Sequence, residues 1–210
     1  MKDIAITRSD YGAQIDLIAG MHRLRHQVFK ERLDWAVSVV GDKEIDAFDA
    51  LGPTYLMVIT DSRKVVGCAR LLPTTGPYML ADTFPELLAG EPPPCAGDLL
   101  ESSRFCVDTS ASEELGPGGL NKLTFMMLSA VIEWGLITRS RGIVTVTDLR
   151  FERILRRAGW PLIRIGTPLE IGVTTALAGS LEVSEAIADH IRSVGGLESR
   201  VFPSFNSIAA

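Results

Sequence analysis

Residues 99–107, LLESSRFCV, indicate the architecture of the sheet, because this apolar strand carries an acidic and a basic residue near its centre. A central apolar strand has little reason to contain Glu101 and Arg104 unless they pair or line a cleft, since an unpaired buried charge is costly. Side chains three residues apart point to opposite faces of a regular strand. A β-bulge or a splayed strand end would bring both to one site. The stretch therefore predicts a sheet that is interrupted at a polar site.

The rest of the chain alternates between strand and helix patterns. Strands are predicted at Asp3 to Thr7, Thr54 to Thr60, Val65 to Leu71, Leu99 to Val107, Ile143 to Thr147, Leu162 to Ile165 and Leu169 to Thr175. Helices are predicted from Asp10 as the capping residue, at Pro85 to Ala89, at Leu120 to Thr138, at Leu149 to Ala158, and from Ser184 to just before Gly195. Residues 34–53 are expected to form an ordered loop, and residues 73–97 a proline-rich surface excursion. This order is typical of an α/β (α+β) sandwich around a mixed sheet, within one domain of residues 1–210.

Composition narrows the classes of function. With 210 residues, 46% of them hydrophobic, the chain can bury a sizeable core. Its net charge of −5 argues against nonspecific binding to nucleic acid or anionic lipid, which requires cationic groups. The N-terminal stretch lacks the apolar segment of a signal peptide, and no window reaches the roughly 18 apolar residues of a membrane span. Three scattered cysteines, Cys68, Cys95 and Cys106, predict reduced thiols in a cytoplasmic protein without a metal site.

Charged and aromatic residues interleave in the first 70 residues and again after residue 100. They are Arg25, Phe29, Trp35, Asp46, Asp49 and Arg70, followed by Glu101, Ser103 and Arg104. Arg25 and Phe29 lie one helical turn apart, and Asp46 and Asp49 face the same side if their loop makes one helical turn. Taken singly, each has an ordinary explanation as a solvated charge or a core aromatic. As a group they suit a ligand that is both zwitterionic and cationic.

Several separated stretches resemble the LuxI-type acyl-homoserine lactone synthases. They are RHQVF at 25–29, Trp35, EIDAFD at 44–49, GCARLLPTTGPYMLADTFPELL at 67–88 and ESSRF at 101–105. The resemblance runs from about Met21 to Trp160. Motifs that recur in order at matching spacing are far more specific than one short pattern.

The resemblance implies a GNAT-like three-layer sandwich, in which two central strands, ESSRFCV and IVTVT, splay into a V that admits an acyl thioester. It also implies an acyltransferase that moves an acyl group from acyl-ACP or acyl-CoA to the α-amine of S-adenosylmethionine and then closes the lactone. The products would be N-acyl-L-homoserine lactone, a quorum-sensing signal, and methylthioadenosine. S-adenosylmethionine is then a substrate, and no cofactor is expected.

The resemblance and the residue chemistry together predict an S-adenosylmethionine site made of Arg25, Phe29, Trp35, Asp46, Asp49, Arg70, Ser103 and Arg104. We expect Asp46 to bind the ammonium and Arg104 the carboxylate, with Phe29 and Trp35 around the adenosine and sulfonium.

A second arrangement of the same charges is equally compatible with the sequence. Arg25, Asp49 and Arg70 would then form an ion network that fixes the loop without touching the substrate, because buried charges need partners. For the base that deprotonates the substrate ammonium we expect Glu101, with Asp46 as the competing group. The predicted catalytic set is thus Glu101, Asp46 and Arg104.

Two further surfaces are predicted with less specific signals. Phe105, Met126, Thr145 and Thr147 are assigned to the acyl pocket, although β-propensity and ordinary core packing also explain these residues. A basic helix face with Arg150, Arg153 and Arg157, beside Arg156, is assigned to docking of the acidic carrier protein or the phosphates of coenzyme A. A merely solvated helix face is the alternative.

Two other functions compete with this interpretation. An ordinary acetyltransferase of the GNAT type would use acetyl-CoA, but its phosphate-binding loop has only a poor counterpart in GPGGLNK at 116–122. A noncatalytic acyl or adenosine sensor would keep the pocket without needing a base such as Glu101.

Overall fold

The computed structural model describes residues 1–111 and 120–202. Its strands are β1 (Lys2–Ile6), β2 (Val39–Val40), β3 (Lys43–Glu44), β4 (Thr54–Ile59), β5 (Val65–Pro73), β6 (Leu99–Val107), β7 (Gly142–Asp148), β8 (Ile163–Arg164), β9 (Leu169–Ile171) and β10 (Thr174–Glu182). Its α-helices are α1 (Ile15–Arg25), α2 (Met79–Asp82), α3 (Lys122–Ile137), α4 (Leu149–Arg157) and α5 (Glu185–Gly195). The GPGG stretch at 116–119 lies outside the described residues.

One mixed sheet organises the molecule. Its strands run in the order β1-β4-β5-β6-β7-β10-β8, and β9 also pairs with β10. Neighbouring strands are antiparallel except β6 and β7, which are parallel. The pairing of β6 with β7 ends at Ser102 and Thr145, although the two strands continue to Val107 and Asp148. The strands therefore diverge beyond this point, and the expected V-shaped splay is confirmed.

Layers of helix cover the two faces of the sheet, because successive strand residues point in opposite directions. Helix α1 packs against Tyr55 and Met57 on one face. Helices α3 and α5 pack on the other face, against Leu56 and Val58. The 73–97 excursion extends the first layer, because its Leu80 joins the cluster that includes β7 and β10. The predicted three-layer sandwich is confirmed.

The N-terminal half departs from the prediction in its helices. Helix α1 begins at Ile15, so the expected start at Asp10 is wrong; Asp10 instead accepts a hydrogen bond from the Thr7 N–H (2.9 Å) in a separate 3₁₀ turn. After Arg25 the helix continues as a π-helix from His26 to Arg32. Helix α2 also lies in an excursion for which only one helical piece, at Pro85 to Ala89, was expected.

The C-terminal half departs in its strands. The stretch expected as one strand at Leu169 to Thr175 is split at Gly172, which adopts a positive φ of 59°. The second part, β10, runs from Thr174 to Glu182, and residues 176–182 were not predicted as strand because ALAGSLE is rich in small residues with low β-propensity. None of the helices in the described part of the chain has the length and apolarity needed to span a bilayer.

Asp3 on β1 makes the stability of the fold depend on pH. Burial, and secondarily the charge of Glu133, raises the pKa of the Asp3 carboxyl to about 8. The pKa of this carboxyl is higher in the folded chain than in the unfolded chain, so the folded state binds the proton more tightly. The free energy of unfolding therefore falls as pH rises from the unfolded pKa of about 4 to the folded pKa of about 8.

We predict that Asp3→Asn stabilises the protein increasingly as pH rises across this interval, since asparagine cannot ionise. The gain at pH 8 should be at least about 1 kcal/mol, or roughly 2–4 °C in Tm. Thermal melts of both proteins from pH 5 to pH 8 measure it. A Tm difference that does not change with pH would contradict the assignment.

Candidate active site

A β-bulge in β6 brings the polar residues of this strand to one face. Arg104 has a positive φ of 54°, and the pairing with β5 slips there, so that Arg70 lies opposite Ser103 but Cys68 opposite Cys106. The extra residue turns the Arg104 side chain toward the α1 face, where Glu101 and Ser103 also point. Of the two arrangements that would bring Glu101 and Arg104 to one site, a bulge or a splayed strand end, the structure has the bulge.

Three arginines and three carboxylates form an ion network between this strand and α1. Arg25 makes a bidentate contact with Asp49 (2.8 and 3.0 Å) and also pairs with Glu44. Arg70 donates to Asp46 (2.5 Å) and Asp49 (3.0 Å). The charges balance one for one, which is what burial of this many ions requires.

Arg104 joins the network from the bulge. It donates from Nε to Glu44 Oε1 (3.0 Å), and its Nη2 lies 2.8 Å from Asp46 Oδ2. Arg70 also donates from Nε to the Ser103 hydroxyl (3.1 Å), which fixes its direction. Every charged or hydroxyl side chain predicted for the S-adenosylmethionine site is thus in one connected cluster.

The ion network has a fully buried part and a partly exposed part, which we call the rim. The side chains of Arg25, Glu44 and Arg70 are fully buried, whereas Asp46 is 11% and Arg104 is 13% exposed. Burial opposes ionisation of Asp49, but its hydrogen bonds with Arg25 and the charge of Arg25 hold the pKa of that carboxyl below its ordinary value. The rim pair is therefore the part of the network that a ligand meets first.

The loop at 44–49 is shaped by its own hydrogen bonds. Asp46 caps the 3₁₀ helix Ala47–Leu51 by accepting from the Phe48 N–H (2.9 Å), and Asp49 accepts from the Asp46 N–H (2.8 Å). The helical turn on which the pairing of Asp46 with Asp49 depended is confirmed. Tyr55 from β4 donates to Asp49 (2.8 Å) and holds the turn against the sheet.

Two aromatic rings lie beside the rim. Phe29 and Trp35 are stacked, with centroids 5.4 Å apart and planes 15° from parallel. The Arg104 guanidinium lies 5.7 Å from the Phe29 centroid, within cation–π range. The π-helix produces this pair, because its end returns the chain so that the Trp35 N–H donates to the Phe29 carbonyl (2.9 Å).

Glu101 occupies a separate environment near the same rim. Its two carboxylate oxygens accept hydrogen bonds from the backbone N–H groups of Met79 (3.0 Å) and Leu80 (2.7 Å) at the start of α2. Burial raises the pKa of the Glu101 carboxyl, although these two amides oppose the change. Arg104 Nη1 lies 3.5 Å from the Met79 sulfur, so Glu101 and Arg104 converge on one residue.

The four residues predicted for the acyl pocket lie on the opposite face of the sheet. Phe105 and Met126 pack against the α3 side of the core. The Thr145 hydroxyl donates to the Ser102 carbonyl (2.8 Å) and closes the narrow end of the V. Thr147, two residues further along β7, lies on the same face as Thr145. The V thus lies between the ion network on one face and these four residues on the other.

The basic face of α4 is exposed as predicted. Arg150, Arg153, Arg156 and Arg157 all reach solvent, and Arg156 lies 4.0 Å from Glu152. Helix α4 follows β7 directly, and its Phe151 contacts Phe105 with ring centroids 4.8 Å apart. The arginines therefore stand on the helix that borders the open end of the V.

Sequence reasoning missed Glu44, which binds two of the three arginines. A charge count points to it, since three buried arginines need three carboxylates, and the sequence analysis pairs only Asp49 with arginines and assigns Asp46 to the substrate. Tyr55 was also missed, because a tyrosine in an apolar strand gives no signal beyond core packing. Among residues 1–111 and 120–202, no group of three or more His, Cys, Asp or Glu side chains is placed to hold a metal ion.

Comparisons with known proteins identify the family of the chain. The family model described as autoinducer synthase matches residues 11–191. A probable acyl-homoserine-lactone synthase from Sinorhizobium fredii (strain NBRC 101917 / NGR234) is 49% identical over 181 residues, which cover 86% of this chain and 87% of the relative.

Solved structures share the fold. The AHL synthase LasI superposes with a TM-score of 0.79 at 38% identity, covering 91% of this chain and 94% of its own. A CoA-dependent acyl-homoserine lactone synthase, BjaI, solved with SAM and isopentyl-CoA, has a TM-score of 0.83 at 24% identity, covering 93% and 90%. A putative N-acetyltransferase from Lactobacillus plantarum has a similar fold, with a TM-score of 0.57 at 15% identity, covering 88% of this chain and 100% of its own. The chain belongs to the autoinducer synthase family, the acyltransferases that make acyl-homoserine lactones.

Proposed function

We propose that this chain transfers an acyl group from a thioester to the α-amine of S-adenosylmethionine and then closes the homoserine lactone. The observation that supports this most directly is the rim pair of Asp46 and Arg104, which stands beside stacked aromatic rings and next to the V. A zwitterionic head group needs an anion and a cation side by side, and a sulfonium favours aromatic faces.

The substrate head group binds at the rim in this proposal. Asp46 takes the ammonium and Arg104 takes the carboxylate, while Phe29 and Trp35 flank the adenosine and sulfonium. Arg25, Asp49 and Arg70 act from below, because their side chains are at most 6% exposed and bind one another and the loop. Of the two arrangements compatible with the sequence, the buried ion network is favoured for these three residues.

Acyl transfer begins with loss of a proton from the bound ammonium. Glu101 is our candidate for the base, because among the described residues its oxygens accept hydrogen bonds only from neutral amides, and burial raises its pKa. Asp46 is less suited, because its two oxygens face Arg70 and Arg104. The freed amine attacks the thioester carbonyl, a new C–N bond forms, and the C–S bond breaks to release the donor thiol.

Lactone closure follows on the same molecule. A carboxylate oxygen attacks the γ-carbon, forms the ring C–O bond and expels methylthioadenosine, so that a negative and a positive charge disappear together. Neutralising charges favours a site with little water, and holding the methionyl chain curled places the reacting atoms within reach.

The acyl donor docks on α4 in this proposal, and its acyl chain passes through the V toward Phe105, Met126, Thr145 and Thr147. An acidic carrier protein or the phosphates of coenzyme A would complement the four arginines of α4. We place the reaction in the cytoplasm, where acyl thioesters and S-adenosylmethionine are available.

Mass spectrometry of the purified protein with S-adenosylmethionine and a panel of acyl-ACP and acyl-CoA thioesters tests the function. We predict that methylthioadenosine and an acyl-homoserine lactone appear together. Glu101→Gln should keep its affinity for S-adenosylmethionine and lose about 10²-fold or more in kcat, the usual contribution of a general base.

Asp46→Asn is the matched comparison, because it should weaken S-adenosylmethionine binding as well. A wild-type protein that is folded but forms neither product with any donor would point to the sensor or to another acyltransferase. Unchanged turnover in Glu101→Gln would refute the assignment of the base.

Docking on α4 is tested by reversing charge at Arg150 and Arg153 together. If an acidic carrier protein binds there, the KM for acyl-ACP should rise about tenfold or more and depend less on salt, while the KM for S-adenosylmethionine stays constant. An equal rise for the matching acyl-CoA would identify phosphate binding instead. Unchanged KM values for both donors would show that α4 is only a solvated face. The double variant Arg23→Glu with Arg139→Glu, two exposed arginines outside α4, is the control with the same change in net charge.

A further inference from the structure

His22 lies beneath the ion network and contacts its buried edge. It is 7% exposed on α1, and its Nδ1 lies 2.8 Å from the backbone carbonyl oxygen of Glu44. Because a carbonyl oxygen only accepts, Nδ1 must carry the hydrogen and donate it. Burial, and then the charge of Arg25, lowers the pKa of His22, so the ring is neutral at pH 7 and adds no further positive charge beside Arg25.

Two side chains of α1 hold the same residue of the hairpin. His22 binds the main chain of Glu44, and Arg25, three residues later on the helix, binds its carboxylate. The other carboxylate oxygen of Glu44 accepts from Arg104 at the rim (3.0 Å). A continuous line of hydrogen bonds therefore runs from His22 through Glu44 to the arginine that faces the substrate.

The hairpin that carries Glu44 has little other support. Strands β2 and β3 have two residues each and form a separate two-stranded sheet. Their register pairs are Val39 with Glu44 and Val40 with Lys43, and both valines are exposed. A hairpin this short is marginal by itself, so Glu44 is held by its contacts with α1 and with Arg104, and His22 is the one that binds its main chain.

We propose that His22 is a positioning residue for the methionyl head of S-adenosylmethionine. By fixing the main chain of Glu44, it sets the position of the Glu44 carboxylate and through it the direction of Arg104. His22 itself does not touch the substrate. The inference rests on the proposed function, since it assigns Arg104 to the substrate carboxylate.

Three substitutions separate positioning from packing. His22→Asn keeps an N–H donor close to the place of Nδ1, His22→Leu has a similar shape without a donor, and His22→Gln moves the donor one methylene further. We expect His22→Leu and His22→Gln to raise the KM and Kd for S-adenosylmethionine about tenfold, the effect of losing one buried hydrogen bond. His22→Asn should stay within about threefold of wild type, and the KM for the acyl thioester should not change in any of them.

Leu17→Val is the control for packing, because Leu17 is a buried residue of α1 that joins the apolar cluster and not the network. It should lower Tm without changing either KM. Equal effects of asparagine and leucine at position 22, or no effect of leucine and glutamine, would overturn the positioning role. If His22→Leu does not fold, the comparison of asparagine with glutamine decides.

The same measurements keep this inference distinct from the proposed function. A wild-type protein that binds S-adenosylmethionine but forms no product contradicts the proposed function, and the Kd values from calorimetry then decide the role of His22 alone. A folded wild-type protein that does not bind S-adenosylmethionine contradicts both.

Discussion

Arg25 and Arg70 are buried charges, and they can remain so only because Glu44, Asp46 and Asp49 surround them. Removing one partner would leave an ion in the interior without compensation, at a cost of about 3–5 kcal/mol. The six residues of the network come from α1, the β2–β3 hairpin, the turn after it, β5 and β6. One electrostatic requirement therefore places five parts of the chain around a common point.

The bulge at Arg104 connects this network to the chemistry. A regular β6 would point Arg104 away from the face that holds Glu101. With the bulge, the Glu101 carboxyl, the Arg104 guanidinium and the Ser103 hydroxyl share one face, while the Phe105 side chain points to the other. Because β6 and β7 stop pairing at Ser102 and Thr145, the gap between them joins the polar face to the apolar one. Both substrates of the proposed reaction can then meet at the sheet.

Residue chemistry predicted a feature where a residue did not fit the secondary structure expected around it. Glu101 and Arg104 conflict with a regular apolar strand, and that conflict indicated either a bulge or a splayed strand end. Asp46 and Asp49 could share one side only if their loop made a helical turn, which it does. The V and the GNAT-like layers came from the family resemblance, since neither periodicity nor composition specifies where two strands diverge.

Other features could not be predicted because no local signal encodes them. The π-helix at residues 26–32 has the apolar spacing of an ordinary helix and differs from it in its backbone hydrogen bonds, such as the one from the Leu33 N–H to the Val28 carbonyl. Strand β10 is formed by pairing with β7 and not by its own propensity. The hydrogen bond from His22 to the Glu44 carbonyl joins residues 22 positions apart and involves a main-chain atom, which sequence patterns do not report.

A crystal structure of the protein with S-adenosylmethionine would show where the methionyl head binds. We expect the head to lie between Asp46 and Arg104, Phe29 and Trp35 to contact the adenosine or sulfonium, and the bidentate contact of Arg25 with Asp49 to stay closed. A head group bound away from the rim, or an Arg25 that leaves Asp49 to bind the substrate, would contradict this expectation.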